Sequence, residues 1–404
     1  MLSVHDARER ILSNFKATAP ESVKLAAAVN RVLAIDIAAE HNLPLFDNSS
    51  MDGFAVRSQD TSASHVTLKV VADIPAGAAP TEVLRAGQAA RIMTGAQMPA
   101  GANAVIPIEE TDLQHREAGA LAPEMVSIER SVNAGENVRA RGMDIQAGEI
   151  VLRKGQRLKP QDLGLLAMLG ISNVEVFKKP RVALLSSGDE LLAVDAPLES
   201  GKIRDSNSYT LAASIESAGG DVLRLGVAKD TRTSVMELFQ KAIQEDVDLI
   251  LSSAGVSVGA FDFVKEVIES NGTLDFWRVN MRPGKPLAFG KYSDKQFIGL
   301  PGNPVSAFVG FEVFVLPVLE RLGGQLGSSR RRIKVRSELE IESDGRESYL
   351  RAKLHEENGV QIARLTGHQG SGNLLSLVQA DALLIIPAGV KCVPAGQDVE
   401  ALLL

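Results

Sequence analysis

A single cysteine, Cys392, occurs in 404 residues. It has no partner for an internal disulfide, and no cysteine cluster exists to hold zinc or an iron–sulfur centre, so a reducing, cytoplasmic setting is expected. Positive charge is not in excess. Lys and Arg total 43 against 50 Asp and Glu, a formal charge of -7, which provides no global basic field for a nucleic-acid backbone. Long apolar runs are missing too: none approaches the ~18 residues that would suggest a membrane span. Met1 to Arg10 is charged where a secretory leader would be apolar. No G-x-x-x-x-G-K-[ST] loop occurs, since Lys285 is followed by Pro286, and there is no His-Glu-x-x-His; the six histidines are scattered.

Against these absences, 45% apolar and 23% charged residues are ordinary globular values. The length suggests about three domains at roughly 150 residues each. Val4, Ala7, Ile11 and Phe15 recur at helical spacing behind Ser3, and residues about 22 to 40 read as a second helix. From 47 to 140 the chain turns β-rich, with alternation at His65 to Val70 and frequent Gly and Pro. Helical spacing returns at Leu163, Leu166, Ala167 and Leu169 before Gly170, so the β-rich part (47–140) reads as inserted into a helical one (1–46 and 141–176). Between 177 and 326 strand-type runs such as Arg181 to Leu185 and Val247 to Leu251 alternate with amphipathic helices. That pattern predicts an open, mostly parallel α/β sheet with helices on both faces. Residues 327–404 return as short alternating runs, expected to form a small β-barrel. The basic run Arg330 to Arg336 reads as a solvated linker and edge strand.

In an open α/β sheet ligands lie beyond the carboxyl ends of the strands. The loops there are Ser186 to Glu190, the neighbourhood of Asp230, Ser252 to Asp262, Asn280 to Pro286 and Pro301 to Ser306. Glycines around Ser257 allow backbone amides close to an anion. Arg282-Pro283-Gly284-Lys285 adds two cations, and Asn303-Pro304 opens a helix whose first amides point outward. The set fits a phosphate or another oxyanion. Asp189, Glu190, Asp230 and Asp262 on the same edge suit either Mg²⁺ held against phosphate or the guanidine-like edge of a pterin or guanine; as the plainer alternative, Asp189 and Glu190 cap the following segment. Gly255-Val256-Ser257-Val258-Gly259 also matches the nucleophile elbow G-x-S-x-G, with Asp275 and His368 in the required order. The missing His-Gly-Gly segment and the two strands before the elbow weigh against a hydrolase.

Seven segments then carry a family resemblance: Asp47 to Ala55, Arg91 to Ala96, Ser187-Gly188-Asp189-Glu190, Gly255 to Gly259, Pro283 to Pro286, Gly299 to Ser306 and Gly367 to Ser371. Together they resemble the molybdopterin molybdenumtransferase (MoeA) family, which includes the C-terminal part of gephyrin. The resemblance implies a homodimer of four-domain subunits that inserts molybdate into adenylylated molybdopterin, releasing AMP with Mg²⁺ involved. It also implies a site shared between subunits, in which Asp52, Thr94 and Asp144 of one chain complete a cleft containing Glu190, Asp230, Asp262 and Lys285 of the other, with Glu190 and Asp262 toward the metal. Ser187, Gly188, Asp189, Gly255, Val256, Ser257, Arg282, Gly284, Pro301, Asn303, Pro304 and Ser306 would line the substrate, and Arg351 and Ser371 match positions associated with oxyanion handling. The adenylyltransferase of the preceding step is a candidate partner. Three positions depart from the family pattern: Phe54 for Tyr, Arg282 for Lys, and Ala254 for a second Gly. A non-catalytic scaffold and the adenylyltransferase activity itself are the rival readings.

Overall fold

The computed structural model describes residues 1–63, 65–113, 121–253 and 261–404, without the side chains of 261 and 262. The chain forms two compact units: residues 1–35, 154–163 and 172–404, and residues 36–153 with 164–171. Among the described residues no helix is long and apolar enough to cross a membrane.

The first unit is built on a six-stranded sheet of β1 (Arg181–Ser187), β2 (Asp221–Ala228), β3 (Leu249–Ser253), β4 (Gly272–Arg278), β5 (Pro286–Tyr292) and β6 (Lys295–Leu300), ordered β2-β1-β3-β6-β5-β4. β2, β1, β3 and β6 pair in parallel, whereas β5 is antiparallel to both neighbours. β4 thus points the same way as the parallel strands. Alternation along the strands assigns each apolar side chain to a face. Val182, Leu184, Leu249 and Leu251 share one core with the helix Asn207–Ser217 and the helical stretch 304–322. Ala183, Leu185 and Ile250 share the other with the helices Arg232–Gln244 and Phe261–Asn271. The expected doubly covered sheet is present.

The first helix, Val4–Ser13, starts as expected at Ser3, whose hydroxyl accepts from the Asp6 amide at 3.0 Å. Val4, Ala7, Ile11 and Phe15 join the first core of the sheet. The second helix expected over 22–40 does not form. Pro20–Lys24 is instead a strand paired antiparallel with Asn173–Phe177, and Leu25–Ala27 makes one 3₁₀ turn. Asn30 follows in the left-handed region at φ 64. The apolar spacing there was read as a helical period, but pairing with a distant segment overrides local propensity. Helix Pro160–Met168 does form, with Gly170 after it at φ 79.

Residues beyond 330 close into a five-stranded barrel of β7 (Arg332–Ser337), β8 (Glu347–Glu357), β9 (Val360–Leu365), β10 (Ala382–Ile386) and β11 (Asp398–Leu403), in which β8 pairs with both β9 and β10. β7 therefore lies between β9 and β11 rather than at an edge, and the basic run is largely neutralised. Arg332 meets Glu400 at 3.0 Å, and Arg336 meets Asp398 at 3.8 Å. The second unit carries a five-stranded sheet in the order Ala104–Pro107, Gly53–Val56, Gln88–Ile92, Val66–Ile74, Met125–Ile128. Gly53 is required there, because a Cβ would fall 1.9 Å from the Ile106 carbonyl oxygen.

The stretch before the barrel is tied down by charge. Arg330 donates from Nε and Nη2 to both oxygens of Glu312, at 2.8 and 2.7 Å. The Glu312 side chain is fully buried, within a π-helical segment, Phe311–Val315. This pairing raises the Arg330 guanidinium above its ordinary value, the hydrogen bond to Glu312 outweighing burial. We expect Arg330→Met to strand a buried carboxylate and destabilise this unit by about 3 kcal/mol, and Glu312→Leu/Arg330→Met to recover most of the loss. Denaturant midpoints of the three proteins check it; equal midpoints for the wild type and Arg330→Met would contradict the role given to the pair.

Candidate functional site

All five loops expected at one edge start where strands of the same direction end: after β1, β2, β3, β4 and β6. Asp189, in the loop after β1, donates its amide to Asp230 Oδ2, and Asp230, after β2, donates its amide to Asp189 Oδ1, both at 3.3 Å. Each carboxylate thus has one oxygen engaged in latching the two loops. Lys202 Nζ donates to the Asp189 carbonyl, and the Gly188 amide to Ala228 O at 3.2 Å. Gly188 has φ 145, and a Cβ there would lie 2.5 Å from Glu190 Oε2. The absence of a side chain at 188 makes room for the Glu190 carboxylate.

A cleft of about 560 Å³ opens beside this latch. Its walls include Ser187 at the end of β1 and Glu190 after it, Ser253 at the end of β3, Pro286 at the start of β5, and Pro301, Asn303, Pro304 and Ser306 after β6. The start of the Asn207–Ser217 helix supplies Asp205, Ser206 and Asn207, and the barrel supplies Gly372. Ser371 reaches the same place, its carbonyl accepting from the Val305 amide at 3.1 Å. Asn303 occupies the N-cap and Pro304 the first turn, as expected, but Asn303 makes no side-chain cap bond. Since Pro304 has no N–H and Val305 gives its own to Ser371, this helix start offers fewer open amides than its sequence suggests.

The cations are arranged unequally. Lys285 is exposed and has no ion pair among the described residues. Arg282 is half-buried, 3.9 Å from Asp344. Gly284, at φ 99, packs where a Cβ would be 3.6 Å from the Ser306 carbonyl. Arg351 is fully buried and has no carboxylate beside it among the described residues. Its Nε donates to Ser376 Oγ at 3.1 Å, and its Nη atoms donate to the carbonyls of His368, Gln369 and Gly370 at 3.0 to 3.3 Å. Burial, followed by the charge of Arg282, lowers its guanidinium below the ordinary value. Arg351 therefore shapes the 367–371 loop that presents Ser371.

Asp52 and Thr94 are together in the second unit: Asp52 Oδ1 accepts from the Thr94 amide at 2.7 Å and from its hydroxyl at 2.9 Å. Asp144, in the same unit, pairs with Arg139. Gly255, Val256 and Ser257 lie outside the described residues, as does the Asp262 side chain. The hydrolase reading gains nothing from its other two members. Asp275 lies within β4 paired to Arg10 at 3.1 Å, and His368 Nδ1 accepts from the Gly370 amide at 3.3 Å. Neither is bonded to the other.

Sequence reasoning missed Asp205 and Asn207. Asp205-Ser206-Asn207 reads as the start of an ordinary helix, and Asp205 Oδ1 does accept from the Ser208 amide at 3.1 Å. Asn207 donates from Nδ2 to Ser253 Oγ at 2.8 Å and to Gly302 O at 2.7 Å, bracing the ends of β3 and β6. The hydroxyls of Ser186, Ser187 and Ser252 at the same edge are buried without partners among the described residues. Among the described residues no three metal-ligating side chains gather. Mg²⁺, however, typically uses one or two carboxylates plus substrate phosphate oxygens, and Glu190 in the cleft wall is a carboxylate of that kind. Chemically, the edge offers carboxylates and hydroxyls, with cations at its margin, to a ligand that is anionic at one end and polar at the other.

The comparisons with known proteins agree along the whole chain. Residues 2–170 match the MoeA N-terminal region (domain I and II), 183–321 a probable molybdopterin binding domain, and 334–404 the MoeA C-terminal region (domain IV). A molybdopterin molybdenumtransferase of Nostoc sp. is 40% identical over 95% of this chain and 88% of its own length. One of Bacillus subtilis is 36% identical over 100% and 94%. The crystal structure of a molybdopterin biosynthesis MoeA protein from Pyrococcus horikoshii superposes with a TM-score of 0.84 at 31% identity, covering 100% of both chains. With its three regions matched in order, and relatives of this identity aligned over nearly their full length, the chain belongs to the molybdopterin molybdenumtransferase (MoeA) family.

Proposed function

We propose that this protein is the transferase that inserts molybdate into adenylylated molybdopterin, releasing AMP and molybdenum cofactor. Full-length membership of a family whose curated members are named for molybdenum transfer carries the reading. The cleft supports it with carboxylates and hydroxyls in its walls and the helix start at Asn303 and Pro304 beside them. Breaking a phosphoanhydride calls for positive charge on the departing phosphate oxygens and for fixed geometry. In this reading Lys285 and Arg282 supply charge from the protein, the Asp189–Asp230 latch fixes the loops, and Ser306 with Ser371 faces the oxyanion. Glu190 and Asp262 would hold Mg²⁺, which supplies further positive charge against the phosphate when bound. Ser257 acts here as a phosphate-loop residue and not as a nucleophile.

The same proposal includes a homodimer in the cytoplasm, with Asp52, Thr94 and Asp144 of one subunit completing the cleft of the other, and the adenylyltransferase as the protein that hands over substrate. It keeps the division into 1–46 with 141–176, 47–140, 177–326 and 327–404.

Release of AMP from adenylylated molybdopterin only when molybdate is added is the expected result; release without molybdate, or none with it, would overturn the assignment. Glu190→Gln keeps the volume and removes the charge. It should lower the rate roughly ten- to a hundredfold, the value of one charged contact, with an unchanged melting temperature. Equilibrium sedimentation should give a dimer, and a fully active monomer at micromolar concentration would exclude a shared site.

A further inference from the structure

Two residues of the cleft stand in an unusual position. Asp205 is only 6% exposed and Asn207 only 8%, and both line the cleft at the start of one helix. Asp205 uses one carboxylate oxygen, Oδ1, to accept from the Ser208 amide. Its Oδ2 accepts from no described group, and no cation pairs with it. The adjacent Arg204, also in the cleft wall, donates to the Ala196 carbonyl at 3.3 Å and makes no ion pair with Asp205. For Asn207 the amide orientation is settled by chemistry, since the Gly302 carbonyl can only accept and Nδ2 must face it. With Nδ2 also bonded to Ser253 Oγ, Oδ1 is left as an acceptor with no described partner. The cleft therefore has two acceptor oxygens on largely buried side chains, one of them charged, two residues apart, neither bonded to a described group and both left accessible. Acceptors so placed take their donors from a ligand or from water.

From this we infer that Asp205, with Asn207 beside it, recognises the heterocycle of the substrate by accepting hydrogen bonds from adjacent N–H groups, such as the 2-amino and N3–H groups of a pterin. The inference rests on the function proposed above and adds to it the end of the cleft that reads the ring. The other acids of the edge fit this task less well. Asp189 and Asp230 each give an oxygen to the other's backbone, and Glu190 is exposed. Asn207 has a second consequence: the same amide that faces the ring also holds Gly302, next to Asn303, so ring recognition and the opposite wall share one side chain.

The test uses the full-length protein and two commercially simple probes, pterin-6-carboxylate and its lumazine counterpart, in which a carbonyl replaces the 2-amino group. Wild-type protein should bind the pterin roughly ten- to a hundredfold tighter, the range of a charge-assisted hydrogen bond. Asp205→Asn can keep the Ser208 contact through its amide oxygen while presenting NH₂ where Oδ2 was. It should lose that preference while its binding of AMP and its melting temperature stay at wild-type values. If wild-type protein binds the two probes equally, or if Asp205→Asn keeps the preference, the inference falls and the transferase reading survives. If wild-type protein binds no pterin and yields no molybdate-dependent AMP, the reading falls and takes the inference with it. Should Asp205→Asn fold poorly, the wild-type comparison decides alone.

Discussion

Five of the six strands in the central sheet run in one direction, and the cleft depends on that alignment. Each crossover returns the chain to the same edge, so loops far apart in sequence begin within a few strand spacings of one another. Only β5 opposes the others. Because β4 precedes that reversal, Arg282, Gly284 and Lys285 arrive at the shared edge while β5 and β6 form a simple hairpin. Asn207 then braces β3 against the loop after β6, converting a row of strand ends into a wall of defined shape.

Electrostatically, the edge is poorer in fixed positive charge than a binding site for an anionic substrate would suggest. Arg351 is withdrawn into the barrel, and Arg282 lies near Asp344. Carboxylates are more numerous and closer to the cleft. Such an edge would bind a polyanion weakly on its own, which is the physical reason the proposed function includes a divalent cation. The acids divide into kinds: Asp189 and Asp230 latch loops, while Glu190 and Asp205 line the cleft.

Much of this was legible in the sequence wherever local pattern and tertiary role agree. The run Arg181 to Leu185 is apolar because both faces of its sheet are covered, and the helices around Phe239 and Leu211 show the period of a one-sided surface. The loops after the strands could be named because punctuation by Gly and Pro marks them. The segment 22–40 was misread because its partner, Asn173–Phe177, lies some 150 residues away, and nothing local signals that pairing. Asp205 and Asn207 were hidden by a helix-start pattern that is itself correct. Arg351 was identified by resemblance to oxyanion-handling residues, whereas its fully buried hydrogen bonds to backbone oxygens could be found only in three dimensions.

The contact between Ser371 and Val305 has a further consequence. A barrel loop folded around the Arg351 guanidinium supplies the acceptor for the second residue of a helix rooted in the sheet. The stability of the barrel and the affinity of the cleft are therefore thermodynamically linked. A ligand that favours this helix start favours the closed loop as well, and by reciprocity anything that loosens the barrel weakens the ligand. Substitutions in the barrel interior can thus alter binding without touching what is bound, so the barrel acts as part of the site's scaffold and not as an appendage.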